Sequence, residues 1–173
     1  MIATERLVLR RWHEDDVQAL ARILLDAVVA PWLNTVGATV DDVARVIERY
    51  EEHWEERGFG RFAVVSRESG ELVGRAGLMR ETAWRACSCQ DEIGWAIDPR
   101  RWGEGLAAEA AVAAIADGFE RCGLDEVIAF TTPDNQASRR VMVKCGLELR
   151  GTTSWKGSTH VWYAVAAPTR PAT

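Results

Sequence analysis

The 173-residue sequence predicts an α/β protein in which helices cover both faces of one mixed sheet. Segments that alternate apolar and charged residues indicate strands, and segments with apolar residues three or four apart indicate helices. Their order along the chain is βαα–βββ–α–β–α–ββ. The composition, 47% hydrophobic and 27% charged, is that of a globular protein, and this length suffices for one continuous core. We predict a single domain over residues 1–167 and a frayed tail over residues 168–173.

The N-terminal third is predicted to contain one strand and two helices. Residues 4–11 alternate as a half-buried strand does. Acidic residues at positions 14–16 suit the first turn of a helix, which breaks near residues 30–34, where we expect a loop that presents Trp32. Thr39 is predicted to be the N-cap of a second helix that ends near residue 56, before Gly58 and Gly60.

A hairpin is predicted next. Residues 61–67 and 72–80 have the pattern of strands joined by a tight turn at residues 68–71. Gly74 and Gly77 in the second strand indicate a bulge or the close approach of another backbone. Residues 81–90 are polar and irregular, and residues 92–98 alternate again until Pro99 ends the strand.

A glycine-bearing turn follows this strand and leads directly into an alanine-rich helix. The turn reads Arg100-Arg101-Trp102-Gly103-Glu104-Gly105, and the helix is predicted to end near Arg121. Free backbone N–H groups in such a turn, together with the partial positive charge of a helix N-terminus, favour a bound anion. The stretch therefore predicts a site for a phosphorylated ligand.

The C-terminal part is predicted to contain three further strands and one helix. Residues 127–132 form a short apolar strand of the buried type. Pro133-Asp134-Asn135 caps a helix over residues 136–144. Strands over residues 147–153 and 159–166 complete the sheet.

Sequence patterns separate the possible phosphate sites. A Walker loop is excluded because no Gly-Lys-Ser/Thr follows the turn. A dinucleotide fingerprint would need Ala108 as its third glycine and a position in a βαβ unit near the first strand, and this turn follows several antiparallel strands instead. Glycines that merely relieve strain at a helix start are the alternative without a ligand.

The turn resembles the acyl-CoA pyrophosphate loop of the GNAT superfamily of N-acetyltransferases, Gln/Arg-x-x-Gly-x-Gly/Ala, with Arg100, Gly103 and Gly105 in the three positions. Pro99-x-x-Trp102-Gly103-x-Gly105-Leu106-Ala107-x-Glu109-Ala110 resembles the RimJ/RimL-like branch, named for acetylation of ribosomal-protein N-termini. Segments beginning at Glu5, Glu71 and Asn135 resemble other parts of that branch, in order and at family spacing, over nearly the whole chain.

The resemblance implies a strongly twisted, mostly antiparallel mixed sheet with a splayed pair of strands, the fourth and fifth, that holds acyl-CoA. The pyrophosphate is expected on the N–H groups of residues 101–107 and the pantetheine arm along residues 95–97. The residues expected to bind acetyl-CoA are Trp95, Ala96, Ile97, Arg100, Arg101, Trp102, Gly103, Glu104, Gly105, Leu106, Ala107, Asn135 and Ser138.

Two catalytic residues are expected from the same resemblance. Acetyl transfer to an amine needs a group that removes an amine proton and a proton donor for the leaving thiolate. Glu92 is the predicted base, with a salt-bridged structural glutamate as the alternative. GNAT enzymes often use a tyrosine as the acid at the position of Met142, which cannot donate a proton, so Ser138 is the expected donor, with a contact to pantetheine or helix backbone as its alternative. Asn135 is expected both to cap its helix and to contact the pantetheine.

Composition limits the partners and the location. A net charge of −5 does not favour nucleic acid or an anionic membrane, and no signal peptide or membrane span is present in the sequence, so a cytoplasmic protein is expected. The cysteines are expected to be free thiols, and neither Cys87-Ser-Cys89 nor the three histidines indicate a metal site. Arg139, Arg140 and Lys144 are expected to be solvated or to reach the 3′-phosphate.

The predicted function is direct acetyl transfer from acetyl-CoA to a primary amine. The acceptor is either the N-terminal amine of a protein or peptide or a small molecule such as an amino acid or antibiotic, and a non-catalytic acyl-CoA sensor is the rival from another class. Acidic residues at positions 5, 15 and 16 would suit a cationic amine. Aromatic candidates for the acceptor cleft are Trp32, Tyr50, Trp54, Trp84 and Trp155, with core packing as the alternative for Tyr50 and Trp54. The resemblance also allows a homodimer through the late strands.

Overall fold

A computed structural model describes residues 1–169, in which eight strands form one sheet and five helices pack around it. The elements are β1 (Ile2–Ala3), β2 (Leu7–Arg10), α1 (Asp16–Leu24), α2 (Ala30–Leu33), α3 (Val40–Arg57), β3 (Arg61–Ser66), β4 (Leu72–Arg80), β5 (Asp91–Ile97), a 3₁₀ turn (Pro99–Arg101), α4 (Leu106–Glu120), β6 (Glu126–Thr131), α5 (Gln136–Lys144), β7 (Glu148–Trp155) and β8 (Ser158–Ala166). The predicted mixed α/β sheet is confirmed. Residues 170–173 of the predicted frayed tail lie outside the described range.

Three local expectations differ from the structure. The first helix, expected to break near residues 30–34, ends at Leu24. Residues 30–34, expected to form a loop, contain the one-turn helix α2, in which Pro31 occupies the first turn, where its missing N–H needs no partner. Asn34 ends α2 in the left-handed conformation, with a φ of 56°. Trp32 is nevertheless presented to solvent, as expected. A short strand that was not predicted, β1, also precedes β2 and pairs with it.

The sheet has the order β1-β2-β3-β4-β5-β6-β8-β7. Every neighbouring pair is antiparallel except β5 and β6, which run parallel and pair at one position, Glu92 opposite Ile128. The two strands separate beyond this position and leave an open notch between their carboxyl ends. The splayed pair was expected to be the fourth and fifth strands. It is β5 and β6 here because the sequence analysis did not predict β1.

Helices cover both faces of the sheet. On one face, apolar residues of α4 and Met142 of α5 pack against side chains from β2 to β8. On the other face, α1 and α3 pack against Ala63 of β3 and Ala96 of β5. Within residues 1–169, no helix is both long and apolar enough to cross a membrane.

The glycines of β4 allow close backbone contacts, as the sequence predicts. A Cβ at Gly74 would overlap the carbonyl oxygen of Ala96, and a Cβ at Gly77, whose φ is 146°, would overlap that of Gly60. The register between β3 and β4 shifts at Val64–Val65, which is the expected bulge.

Candidate active site

The notch between β5 and β6 has an unpaired strand edge as one wall. Because β6 pairs with β5 only at Glu92, residues 94–97 of β5 have no strand partner on the β6 side within residues 1–169. This edge includes Trp95, Ala96 and Ile97, the residues expected to contact the pantetheine arm. Trp95 and Ile97 pack on the α4 face, and Ala96 is buried on the opposite face. A strand edge of this kind presents N–H and C=O groups to an extended ligand.

The loop between β5 and α4 presents a row of free backbone donors. Gly103 and Gly105 have φ values of 87° and 83°, a conformation that glycine adopts without steric cost. Within residues 1–169, the N–H groups of residues 103–108 make no hydrogen bond. The N–H groups of Arg101 and Trp102 donate to Asp98 and Pro99 at 2.9 and 3.2 Å, so the available donors begin at Gly103.

Side chains of the loop fasten it to the end of β5. Asp98, buried, accepts from the backbone and guanidinium of Arg100, and the pKa of this carboxyl lies below its usual value mainly because of the Arg100 hydrogen bond. Arg101 pairs with Glu104 at 2.7 Å and lowers the pKa of Glu104. The indole N–H of the half-exposed Trp102 donates to the carbonyl of Ile97 at 2.7 Å. These side chains therefore hold the loop, and its backbone is left free for an anion.

A second fastening comes from the N-terminus of the chain. Glu109, in the first turn of α4, accepts hydrogen bonds from Thr4 Oγ1 at 2.6 Å, from Arg6 N at 2.9 Å and from Arg6 Nε at 2.8 Å. Arg6 also donates to the Glu104 carbonyl at 2.9 Å. Burial raises the pKa of Glu109, but these hydrogen bonds outweigh it and leave the pKa below its usual value. Glu109 therefore supports the loop, and the sequence pattern did not identify Thr4 and Arg6 as its partners.

The opposite wall of the notch is the N-terminus of α5. Asn135 caps this helix, as expected, because its Oδ1 accepts from Ser138 N at 3.0 Å. The Asn135 side-chain amide N and the Ser138 hydroxyl make no hydrogen bond within residues 1–169, so both remain available to a ligand.

Met142, at the position of the family's tyrosine, is buried in the core. Arg139 donates to Tyr163 Oη at 3.1 Å and to the Pro133 carbonyl at 3.0 Å, whereas Arg140 and Lys144 are exposed.

Glu92 lies where β5 and β6 meet, and its carboxylate pairs with Arg61. One terminal nitrogen of Arg61 contacts Glu92 Oε2, and the other donates to the carbonyl of Gly77. A Cβ at Gly94 would lie 2.5 Å from the Arg61 guanidinium, so the absence of a side chain there gives the arginine its path. Glu92 Oε1 has no hydrogen-bond partner within the described residues and is not buried. The carboxylate thus has one oxygen in an ion pair and one open oxygen.

Glu92 faces a cleft between two coverings of the same sheet face. Register places Glu92, Ile128 and Ala164 on one side of the sheet, with Phe130 and Trp162 beside them. Over β6 and β8, the side chains of Trp84, Phe130, Trp155, Trp162 and His160 form an aromatic wall, in which Trp84 stacks on Phe130 at 4.4 Å. Over β2 to β5, the covering is formed by α1 and α3. Between them, β5 is the floor of what we call the acceptor cleft.

The aromatic residues expected in an acceptor cleft do not all come together. Trp84 and Trp155 belong to the aromatic wall. Tyr50 lies on the α3 side of the cleft, buried. Trp54 packs edge-on against Phe62 and donates to the Arg61 carbonyl at 3.1 Å, so it is a packing residue. Trp32 is exposed on α2.

A sequence model described as the acetyltransferase (GNAT) domain matches residues 6–148, most of the chain. The chain belongs to this GNAT family of acetyltransferases. It is therefore an acyltransferase of a family that depends on acetyl-CoA. The notch, the loop of residues 98–105 between β5 and α4, which we call the phosphate loop, and the α5 N-terminus all lie within the matched range.

Known relatives agree with this assignment. The GNAT domain is 26% identical over 154 residues to the uncharacterized N-acetyltransferase YoaA of Bacillus subtilis (strain 168), covering 87% of this chain and 84% of YoaA. The crystal structure of a GNAT-family acetyltransferase from Bacillus anthracis is 25% identical, with a TM-score of 0.81 over 96% of this chain and 98% of that chain.

Two more distant structures share the fold alone. One is the ribosomal-protein-S5-alanine acetyltransferase of Vibrio fischeri, 17% identical, with a TM-score of 0.79 over 96% of each chain. The other is the aminoglycoside acetyltransferase AAC(6′)-Ib in complex with coenzyme A, 19% identical, with a TM-score of 0.77 over 92% of this chain and 94% of that chain.

Two other titratable residues, His53 and Asp16, have structural partners. His53 bonds to the Phe59 carbonyl at 2.7 Å through Nδ1 and accepts from Arg80 N at 3.0 Å through Nε2, and burial lowers its pKa. Asp16, expected to suit a cationic amine, is buried in an ion pair with Arg10.

Glu5 lines a cavity of about 370 Å³ beside Arg101, next to the phosphate loop. Within residues 1–169, the four cysteines are free and no cluster of side chains suits a metal ion.

Proposed function

We propose that this protein transfers an acetyl group from acetyl-CoA directly to a primary amine, without an acyl-enzyme. The observation that carries the proposal is the row of free N–H groups at residues 103–108, beside the open notch. These donors suit the pyrophosphate, and the edge of β5 and the α5 N-terminus suit the pantetheine arm. When bound, acetyl-CoA supplies the acetyl group as an activated thioester.

Glu92 is proposed to take the proton from the attacking amine, directly or through water. As the amine nitrogen bonds to the acetyl carbon, the carbon–sulfur bond breaks and the nitrogen must lose a proton. The open Oε1 of Glu92 faces the acceptor cleft, and the Arg61 contact fixes the orientation of the carboxylate. The ion pair also makes a purely structural glutamate the direct alternative.

Ser138 is proposed to donate a proton to the leaving sulfur. Its hydroxyl has no partner within the described residues and lies at the α5 N-terminus, the wall of the notch opposite β5. A hydrogen bond to the pantetheine arm is the alternative role. Met142 cannot serve as the acid, because a thioether has no proton to donate.

Two classes of acceptor amine have support. The RimJ/RimL-like sequence pattern and the fold shared with the Vibrio fischeri ribosomal-protein-S5-alanine acetyltransferase favour the N-terminal amine of a protein or peptide. The fold shared with an aminoglycoside acetyltransferase favours a small-molecule amine. A cytoplasmic location and a homodimer through β7 and β8 belong to the same proposal, as does a sensor role if turnover is absent.

Thiol release from acetyl-CoA with a panel of peptides, polyamines, amino acids and aminoglycosides tests the proposal. We expect turnover with at least one class, and a loss of about 10²-fold or more in kcat for Glu92→Gln with CoA affinity retained. CoA binding without turnover, unchanged by Glu92→Gln, would indicate a sensor. No CoA binding at all would contradict both functions.

A second variant separates the base from a structural glutamate. Glu92→Gln leaves the buried Arg61 unpaired, and that alone can disturb the site. The double variant Glu92→Gln/Arg61→Met removes both charges, so it restores a neutral, packed site. If turnover stays lost in the double variant while its thermal stability recovers, Glu92 acts in the chemistry. If turnover returns with stability, its role is structural.

A further inference from the structure

Arg75 lies in the middle of the sheet face that forms the acceptor cleft. It is opposite Ala63 of β3 and Ala96 of β5, on the side covered by α1 and α3. Its guanidinium carbon lies 5.8 Å from the centroid of the Tyr50 ring, in a cation–π contact. The side chain is half-buried, one strand away from the edge of the notch.

The guanidinium of Arg75 has no anionic partner in the part of the chain that the structure describes. Within residues 1–169, its Nε is buried without a hydrogen bond, and its terminal nitrogens make no hydrogen bond or ion pair. The terminal nitrogens of Arg75 are accessible to solvent. A charged group that is partly withdrawn from water and unpaired is costly, and a bound anion would remove that cost.

The charges around Arg75 favour an anion as well. Burial lowers the pKa of Arg75, and among its neighbours Tyr50 and Glu92 favour the protonated form whereas Arg61 and Arg49 disfavour it. Glu92 is already paired with Arg61, so it cannot neutralise a second arginine. Arginine nevertheless stays protonated in proteins, and the site is locally positive.

We propose that Arg75 is the anion receptor of the acceptor cleft, and that the acceptor amine also carries a carboxylate. This inference rests on the proposed function, because it assigns a substrate class to the same cleft. A planar guanidinium that lies over the Tyr50 ring presents its donors to a carboxylate at low entropic cost. Arg75 and the partner position of Glu92, Met79, are four residues apart on β4, about 13 Å along a strand. That separation favours dipeptides or ω-amino acids, in which amine and carboxylate are several bonds apart.

Matched pairs of acceptors test this assignment. Thiol release is measured with Gly-Gly and 6-aminohexanoate, and with the amides of both, which lack only the carboxylate charge. We expect the wild type to use the carboxylates with a kcat/KM about 10- to 100-fold above that of the amides, the range for a charge-assisted hydrogen bond. Arg75→Met keeps the packing under Tyr50 and should abolish this preference, with amide rates changed less than about threefold.

Two controls make the result specific. Arg22→Met removes the same charge from an exposed position of α1 that makes no ion pair among the described residues, and it should keep the carboxylate preference. Arg75→Lys should retain part of it. Equal use of carboxylates and amides by the wild type, or an equal loss for both with Arg75→Met, would overturn the proposal.

Direct binding separates this proposal from the proposed function. The Arg75 Nε–H resonance is followed by NMR in the wild-type protein during titration with acetate and with acetamide. A saturable shift with acetate alone supports the anion receptor even if no amine in the panel is acetylated. The absence of any shift overturns it, whether or not turnover occurs. A preference for inorganic phosphate over acetate would overturn the carboxylate class.

Discussion

At the scale of single residues, the glycines of the phosphate loop can be tested against a glycine elsewhere. Gly103 and Gly123 have φ values of 87° and 68°, and a Cβ on either would meet no atom within 4 Å. Gly103→Ala and Gly123→Ala should therefore each cost about 1 kcal/mol of folding free energy through backbone strain. For a chain of this size, that lowers Tm by about 2–4 °C.

Only Gly103→Ala should weaken the binding of CoA. A methyl group at Gly103 projects beside the row of free N–H groups, so we expect CoA affinity to fall about tenfold, as for the loss of one charge-assisted hydrogen bond. Calorimetric titration of both variants with CoA measures this. Equal affinities of Gly103→Ala and Gly123→Ala would mean that the pyrophosphate does not approach Gly103.

Residue roles that depend on local sequence were predictable, and those that depend on distant partners were not. Asn135 was identified as a cap because its partner, Ser138, is three residues away. Arg61 reaches Glu92 across β4, and Arg6 reaches Glu109 over 103 residues of sequence. Such contacts depend on sheet register and helix packing, and one sequence read by periodicity does not determine them.

At the scale of elements, the start of α3 makes a prediction about pH. Thr39 and Asp42 form a reciprocal capping box, with Thr39 N donating to Asp42 Oδ2 at 2.8 Å and Asp42 N donating to Thr39 Oγ1 at 3.3 Å. These hydrogen bonds lower the pKa of Asp42 to about 2. A depressed pKa in the folded state means that the stabilisation is complete above the unfolded value, near 4, and is lost as pH falls toward 2.

Asp42→Asn tests this stabilisation by chemical denaturation. The free energy of unfolding of the variant should lie below that of the wild type at neutral pH, and the gap should close between about pH 4 and pH 2. Asp41→Asn, in the same helical turn, removes a carboxylate that accepts no hydrogen bond within the described residues, and it should have a smaller effect. A gap that persists unchanged at pH 2 would exclude the capping carboxylate as its cause.

Long elements were predicted well from periodicity, and short ones were not. The strand over residues 72–80 and the helix over residues 136–144 have the predicted bounds, because glycines, an N-cap or a turn mark their ends. The two-residue strand β1 and the four-residue helix α2 are too short to show a period. Their formation depends on pairing with β2 and on the first-turn Pro31.

At the scale of the whole molecule, the notch follows from topology more than from any motif. The parallel pair β5–β6 is the one change of direction in an otherwise antiparallel sheet, and α4, which connects the two strands, begins at the phosphate loop. Periodicity indicates where strands occur but not which strands pair with each other. The splay between β5 and β6 was therefore expected only from the family resemblance. The same topology places the acceptor cleft on the opposite face, between α1–α3 and the aromatic wall.

CoA should slow amide hydrogen exchange in two ways. It should stabilise the whole continuous sheet against global unfolding, and it should protect the open loop locally. Amides that exchange through global unfolding should slow by about 100-fold at a CoA concentration 100 times Kd, since binding adds about 2.7 kcal/mol. Amides of residues 103–108 donate no hydrogen bond to any described residue, so they should exchange rapidly without CoA and gain protection beyond that uniform factor with it. The amides of Trp95 and Ile97, which alternate toward the open edge of β5, should respond in the same way. If CoA slowed the core amides but left residues 103–108 unchanged, the ligand would bind elsewhere on the fold, and the notch would not be the acyl-CoA site.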